Sequence, residues 1–282
     1  MDLVQRLDKG PVLCAEGYLF EMEKRGYLQA GAFVPEVVLE HPEVVTQLHR
    51  EFIRAGSDVV QAFTYYGHRE KLRLIGKEEL LEPLQSNALK IAKNAAAEFS
   101  ELDLMVAGDV ANTNIYDPSD KGILIEVEKM YEEQIGWAKD AGVDFIIAET
   151  IQWTGEALIA LKKIKEAGLI AVVNLAIPAN DLTRDDDTPE DACKKFEDNG
   201  ADVVGLNCFR GPYHTMKHLI KIREKVSCHV SGLPVPVRTT DEFPVWFSLP
   251  DEGCNCIPDN RPFPVGIDNL YCNRYELSLI HI

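Results

Sequence analysis

A strand-like apolar run ends at Asn207-Cys208, so its last residue carries a thiol. The run Ala-Asp-Val-Val-Gly-Leu-Asn-Cys occupies positions 201–208. In a parallel α/β protein, the residue at the carboxyl end of a strand faces the active site. A thiolate there can bind zinc or act as a nucleophile. Cys208 is therefore a candidate functional residue, and the alternative is a small buried apolar side chain.

Polar and aromatic residues end several other strand-like runs of the chain. With Cys208, these residues are Glu16, Tyr65, Tyr66, Asp109, Glu149, Asn174 and Asn207. Glu149 follows Phe-Ile-Ile-Ala, and a carboxylate at the end of such a run indicates function. Tyr65 and Tyr66 suit either a binding pocket or packing in the wall. Asp109 can alternatively cap a loop, and Asn207 can satisfy backbone groups.

One sequence unit recurs along the chain: an amphipathic helix, a glycine and then a β-branched run. Its glycines, predicted to adopt a left-handed conformation that ends the helix, are Gly56, Gly142, Gly168 and Gly200. The apolar runs are nearly continuous, as in strands that are buried on both faces. This alternation predicts a parallel sheet.

The strand count favours a (β/α)8 TIM barrel over a doubly wound sheet. Seven strands are predicted, including 12–17, 104–110 and 229–235, and no glycine-rich phosphate loop follows the first. The eighth strand is expected past residue 282. We therefore predict an incomplete barrel, open between its first and seventh strands. Residues 1–282 are predicted to form one domain.

The composition excludes some classes of binding partner and indicates the cellular compartment. The formal net charge is −17 and the pI is near 4.8, which argues against nucleic acid and anionic membranes as partners. No apolar stretch approaches the ~20 residues of a membrane span. The seven cysteines are scattered and odd in number, so a reduced, cytoplasmic setting is predicted rather than a disulfide framework.

Several motifs together resemble the homocysteine S-methyltransferases, most closely the betaine–homocysteine methyltransferase-like branch. They are Cys14-Ala-Glu-Gly-Tyr18, Glu23-Lys-Arg-Gly-Tyr27, Val34-Pro-Glu36, Glu40-His-Pro-Glu43, Gln61-Ala-Phe-Thr-Tyr-Tyr66, Asp144-Phe-Ile-Ile-Ala-Glu149 and Val204-Gly-Leu-Asn-Cys208. The resemblance is collinear from about residue 8 to about residue 276. It implies transfer of a methyl group from a betaine-like onium donor to homocysteine, giving methionine.

The resemblance also implies the site residues. Glu149 matches the glutamate that engages the amino group of homocysteine, and we predict it as the catalytic residue. The predicted substrate-binding residues are Glu16, Gly17, Phe33, Tyr65, Tyr66 and Asn207, with Tyr18 as a weaker candidate. Phe33 and Thr150 replace a tryptophan and a tyrosine of the mammalian enzymes, which leaves the donor open.

Zinc is the cofactor that the resemblance implies, held by three thiolates. Cys208 matches the first, whereas the adjacent pair of cysteines that would supply the others does not occur in the printed sequence. The spacing of Cys254, Cys256 and Cys272 fits no common zinc pattern. We therefore expect a C-terminally truncated chain that holds no catalytic zinc and has negligible activity.

Two other functions stay open. One is a metal-free barrel lyase that uses Glu149 and Asp109, and the other is a non-catalytic fragment. The expected partners are homocysteine and the methylated donor, and the resemblance allows a homo-oligomer of a full-length protein.

Overall fold

Six parallel strands, joined by helices, make one curled sheet in a computed structural model that describes residues 1–28 and 34–249. Neighbours in sequence are neighbours in the sheet, so the order is β1-β2-β3-β4-β5-β6. The strands are β1 (Val59–Gln61), β2 (Met105–Ala111), β3 (Phe145–Ile151), β4 (Ile170–Leu175), β5 (Val203–Asn207) and β6 (His229–Leu233). The sheet is a half-barrel, which confirms the predicted incomplete TIM barrel.

Ten α-helices are described, and most lie between successive strands. They are α1 (Leu3–Leu7), α2 (Tyr18–Lys24), α3 (Val37–Glu40), α4 (Pro42–Arg54), α5 (Arg69–Leu74), α6 (Leu81–Ala97), α7 (Lys121–Ala141), α8 (Thr154–Glu166), α9 (Pro189–Asp198) and α10 (Pro212–Lys225). Two short 3₁₀ helices span Glu78–Leu80 and Trp246–Ser248. Across residues 1–28 and 34–249, no helix has the length and apolarity that crossing a membrane requires.

The helix ends follow the sequence signals. The side chain of Asp120 accepts hydrogen bonds from the backbone N–H of Gly122 and Ile123, which caps the start of α7. The helix ends at Gly142, whose φ of 72° is left-handed. Left-handed φ values are also found at the other three glycines predicted to end helices, Gly56, Gly168 and Gly200.

The first predicted strand, 12–17, is not a strand in the structure. It contacts β1 through a single parallel bridge, Cys14 with Val59. The Asp58 carboxylate accepts a hydrogen bond from the backbone N–H of Leu13 at 2.8 Å. That N–H group therefore does not bond to a neighbouring strand. The predicted missing eighth strand, like everything after Leu249, lies outside the described residues.

The inner face of the half-barrel is divided into an apolar floor and a polar upper part. The floor consists of buried apolar side chains, namely Leu3, Val59, Met105, Ala107, Phe145, Ile147, Val172 and Val203. Because strand side chains alternate between faces, residues two and four positions farther along also point inward. Those next inward positions include Gln61 on β1, Asp109 on β2 and Glu149 on β3. The strands therefore bring the polar residues together above the floor.

Candidate functional site

A cavity of about 350 Å³ occupies the inside of the half-barrel. It is lined by six of the eight residues predicted for the site: Glu16, Gly17, Tyr65, Glu149, Asn207 and Cys208. Asp109 and Asn174 also line it. Tyr66 is not among the lining residues, and Phe33 lies outside the described residues.

Glu149 is held in place by two carboxamides from other strands. Gln61 Nε2 donates to its Oε1 at 2.8 Å, and Asn207 Nδ2 donates to its Oε2 at 2.7 Å. The orientation of the Asn207 amide is fixed because its Oδ1 accepts the backbone N–H of Thr150 at 2.8 Å. Glu149 is 6% exposed. The carboxylate is thus pre-positioned, and its two oxygens already have neutral donors.

Glu16 and Asp109 are two further buried carboxyl groups near Glu149. Burial raises the pKa of Asp109 well above its usual range, and the charges of Glu149 and Glu16 raise it further. The proximity of Asp109 and Glu149 raises the pKa of Asp109 and lowers that of Glu149. Both carboxyl oxygens of Asp109 are buried and have no hydrogen-bond partner among the described residues. Burial, followed by the charge of Glu149, raises the pKa of Glu16.

Of the three carboxyl groups, Glu149 has the most hydrogen bonds that lower its pKa, so it is the one that most readily carries a negative charge. The pKa of Glu149 is still raised overall, because its hydrogen bonds offset only part of the rise that burial causes. A buried carboxylate that lines a cavity favours a cationic ligand group such as an ammonium.

Cys208 directly follows β5 and lines the same cavity. Burial raises the pKa of its thiol to about 12, and the charge of Glu149 contributes to the rise. The thiol is therefore protonated at neutral pH. Cys14 also lines the cavity as a free thiol.

The described residues do not make a zinc site. Within 1–28 and 34–249, no group of three His, Cys, Asp or Glu side chains has an arrangement that could hold a metal ion. Cys254, Cys256 and Cys272 lie outside these ranges. Cys208 is thus the one thiol of the described chain at the position that the resemblance assigns to a zinc ligand.

The two tyrosines have different surroundings. Tyr65 lines the cavity, and its ring centroid is 4.2 Å from that of Tyr66 at an interplanar angle of 40°. Tyr66 is 7% exposed, and its hydroxyl accepts a hydrogen bond from Asn112 Nδ2 at 3.4 Å. Tyr18 lines the cavity too, but its ring stacks on Phe63 and its hydroxyl contacts His49 Nδ1 at 3.0 Å, which is a packing role.

Three non-glycine residues around the site have left-handed backbones. The φ angles are 57° at Tyr66, 57° at Thr150 and 55° at Cys208. Such conformations cost about 1–3 kcal/mol each and persist only where the surroundings enforce them. At Thr150, two hydrogen bonds with Asn207 enforce the conformation. The backbone N–H of Thr150 donates to Asn207 Oδ1, and the hydroxyl of Thr150 accepts a bond from Asn207 Nδ2.

The sequence did not single out Gln61, Asn112 or Lys71. Gln61 was detectable, since it is two residues from the inward-facing Val59 in the same strand. Asn112 follows β2 directly, so strand-end reasoning also reaches it. Lys71 lies on a helix, and its approach to Tyr66 depends on tertiary packing.

Comparison with known proteins decides the family. The homocysteine S-methyltransferase family model matches residues 17–247. The chain belongs to this family. A betaine–homocysteine S-methyltransferase 1 from Bos taurus is 32% identical over 98% of this chain and 66% of its own length. An S-methylmethionine–homocysteine S-methyltransferase from Pongo abelii is 31% identical over 98% of this chain and 72% of its own.

Solved structures support the fold. The metallated form of the Escherichia coli homocysteine methyltransferase MmuM superposes with a TM-score of 0.70 at 19% identity, covering 82% of this chain and 85% of that one. The chain spans about two thirds of the length of the Bos taurus enzyme.

Proposed function

We propose that this family member transfers a methyl group from a betaine-like onium donor to the thiol of homocysteine, giving methionine. The observation that carries the proposal is Glu149, a buried carboxylate held by Gln61 and Asn207 in the cavity that Cys208 also lines. The relatives named above act on homocysteine, with betaine or S-methylmethionine as the donor in their names.

In this proposal Glu149 binds the ammonium group of homocysteine. The charge on Glu149 pairs with the ligand, and the positive charge of the ligand also offsets the repulsion that raises the pKa of Asp109 and Glu16. Pairing a buried charge is worth several kcal/mol because the unpaired charge is costly. The enclosed cavity then holds the substrate sulfur in a restricted range of positions, which lowers the entropic cost of the reaction.

The chemical step is a displacement at carbon. The homocysteine thiol releases its proton to solvent, and the sulfur then attacks the methyl carbon, so that a carbon–sulfur bond forms. The bond from that carbon to the onium atom breaks, and its electron pair stays on the donor, which leaves without its positive charge. Tyr65 offers the cation an aromatic face that weakens its hold as the charge disappears.

Zinc would keep the sulfur deprotonated, since a free thiol of this kind has a pKa of about 8.5. Cys208 is the one described residue that would hold it, and the described residues do not complete the site. The sequence offers no match for the adjacent pair of thiolates that the resemblance implies. We therefore propose that the 282-residue chain binds homocysteine but turns it over at a negligible rate.

Calorimetry with L-homocysteine tests the binding part of the proposal. We expect binding by the unmodified chain and a loss of at least about a hundredfold in affinity in Glu149→Gln, because the buried charge pair is lost. Glu156→Gln is the matched control, a second buried glutamate outside the lining of the cavity. Equal binding by Glu149→Gln and the unmodified chain would contradict the assignment of Glu149.

A second measurement tests the metal part. Zinc content and methionine formation from homocysteine with glycine betaine or S-methylmethionine are measured on the same sample. We expect neither stoichiometric zinc nor turnover. One tightly bound zinc with turnover would overturn this part and leave the role of Glu149 intact.

The metal-free lyase remains a second candidate because Asp109 and Glu149 line the same cavity and each shifts the pKa of the other, as the members of an acid–base pair would. It predicts exchange of the α-hydrogen of homocysteine with solvent deuterium, which methyl transfer does not require. Mass spectrometry of homocysteine incubated in D2O distinguishes the two.

A further inference from the structure

Cys208 and Phe209 form a strained turn directly after β5. Both are non-glycine residues with left-handed backbones, and their φ angles are 55° and 51°. The backbone N–H of Arg210 donates to the carbonyl of Cys208, which closes a tight turn around Phe209. A turn closed between residues two positions apart is rare and strained when its central φ is positive. Contacts with the rest of the chain must therefore hold this turn, and with it the direction of the Cys208 side chain.

On the side of β6, backbone groups hold the turn. The N–H of Cys208 donates to the carbonyl of Leu233 at 2.9 Å, and the N–H of Trp246 donates to the carbonyl of Phe209 at 2.7 Å. Neither bond uses a side chain of the turn. Both are therefore available whatever side chain follows Phe209.

On the side of β4, the side chain of Arg210 holds the turn. Arg210 is 3% exposed, and its Nε donates to the carbonyl of Ile177 at 3.2 Å. Its terminal nitrogen donates to the carbonyl of Pro178 and pairs with Asp181 Oδ1 at 2.7 Å. A guanidinium presents its donors in a rigid planar fork, so these three acceptors define its position. All three lie between β4 and α9, and Arg210 thus ties that loop to the turn.

The thiol that the turn directs shares the cavity with the carboxyl cluster, since Cys208, Glu16 and Glu149 all line it. We infer that Arg210 is a positioning residue, which fixes the turn and so directs the Cys208 thiol towards these carboxyl groups. The alternative is a tie between two loops that affects stability alone. The inference rests on the proposed function only for the part that Cys208 takes in the reaction, because the direction of a thiol is measurable without a substrate.

The charge preference of thiol labelling measures that direction. Two methanethiosulfonates of similar size serve as probes, one with a trimethylammonium group and one with a sulfonate group. Each forms a disulfide with the thiol and releases methanesulfinate, and peptide mass spectrometry gives the rate at each cysteine. The cationic probe reacts faster beside carboxylates, and a cleft lined by one sign of charge gives a rate advantage of about tenfold or more.

We expect Arg210→Met to lower the ratio of cationic to anionic labelling at Cys208 about tenfold, because the thiol turns away from the carboxyl groups. Removal of a nearby positive charge would by itself raise this ratio, so a fall reports direction and not charge. Arg210→Lys keeps the charge but not the planar fork, and it is expected to lower the ratio by a smaller factor. If Arg210→Met does not fold, Arg210→Lys decides the test.

Three controls accompany the two variants. Cys14 lines the same cavity, and the charges of Glu16 and Glu149 add to the burial that raises the pKa of its thiol, so its ratio should stay unchanged. Cys193 has no exposed surface, and its labelling reports unfolding. Arg184→Met removes an exposed arginine from the same loop and is expected to change no ratio.

An unchanged or raised ratio at Cys208 in the folded variants would overturn the inference, and so would an equal fall at Cys14. A fall that occurs only together with labelling of Cys193 would show that Arg210 merely stabilises the fold.

Calorimetry with L-homocysteine on the same samples keeps this test apart from that of the proposed function. If the ratio falls at Cys208 but homocysteine does not bind the unmodified chain, Arg210 positions the thiol and the proposed acceptor is wrong. If homocysteine binds through Glu149 and the ratio does not fall, the proposed acceptor stands and the inference about Arg210 is wrong.

Discussion

Glu149 and Glu156 are two buried glutamates, seven positions apart, with opposite surroundings. Glu149 is 6% exposed and Glu156 is 2% exposed. Glu156 accepts hydrogen bonds from the backbone N–H of Thr113 at 2.7 Å, from the Thr113 hydroxyl at 2.6 Å and from Tyr131. Burial raises the pKa of both carboxyl groups.

The difference lies in what each carboxylate faces. Glu156 is surrounded by donors from the protein and links α8 to the segment after β2. Glu149 lines a cavity and has two other carboxyl groups as neighbours. Repulsion among like charges destabilises the fold, so it is tolerated where a ligand relieves it. Burial alone therefore does not distinguish a functional carboxylate from a structural one, whereas the groups around the carboxylate do.

The largest effect on stability is expected at Glu156. Glu156→Ala removes the acceptor of three hydrogen bonds and leaves Thr113 and Tyr131 with buried, unpaired donors. We expect the free energy of unfolding in urea to fall by about 3 kcal/mol. Affinity for homocysteine in the remaining folded protein is expected to be unchanged. A loss of affinity without a loss of stability would remove the contrast between the two glutamates.

An intermediate effect is expected at Asn207, which connects Glu149 to the backbone of Thr150. Asn207→Ala deletes the bonds to the Glu149 carboxylate and to the Thr150 N–H. We expect a loss of about 2 kcal/mol in the free energy of unfolding, together with weaker homocysteine binding. Asn112→Ala is the control, since Asn112 bonds to the Thr150 carbonyl and not to Glu149. If both variants bind homocysteine equally well, Asn207 does not position Glu149.

The smallest effect on stability is expected at Asp109, where the substitution should stabilise the fold and not destabilise it. The folded protein holds the Asp109 proton more tightly than the unfolded chain, because burial and two carboxylates raise its pKa. Stability should therefore fall as the pH rises from about 4, the ordinary value, through the folded pKa. Asp109→Asn removes this titration and keeps the size of the side chain.

We expect Asp109→Asn to raise the free energy of unfolding by about 1 kcal/mol at pH 8 and by less at pH 5. Urea unfolding at the two pH values measures this. Equal stabilisation at both pH values would show that the carboxyl cluster does not strain the fold.

Strand-end reasoning predicted from the sequence which residues would meet in one cavity. Parallel strands bring their carboxyl ends together, so Glu149, Asn207 and Cys208 were expected in one place and line one cavity. Residues 12–17 were predicted as a strand because their composition suits one. The structure pairs them at a single bridge, because Leu13 donates its backbone N–H to Asp58 and the chain turns at Gly17, with a φ of 83°, into α2. The contact with Asp58 is long-range, and no local pattern encodes it.

The environments of the two tyrosines could not be predicted from the sequence, for a related reason. Tyr65 and Tyr66 are adjacent and identical in type, yet Tyr65 meets the cavity and Tyr66 meets Lys71. The left-handed backbone at Tyr66 directs the two side chains differently, and a backbone angle of that kind at a non-glycine residue is not predictable from residue type.

The left-handed backbone at Thr150 has a consequence for how this chain can evolve in the laboratory. Glycine adopts that conformation without steric cost, whereas a β-branched residue is strained there. A library at this position selected only for thermal resistance would enrich glycine. The same library selected for ligand binding would retain threonine, whose hydroxyl accepts a hydrogen bond from the Asn207 amide that holds Glu149. The two selections would therefore diverge at a single codon.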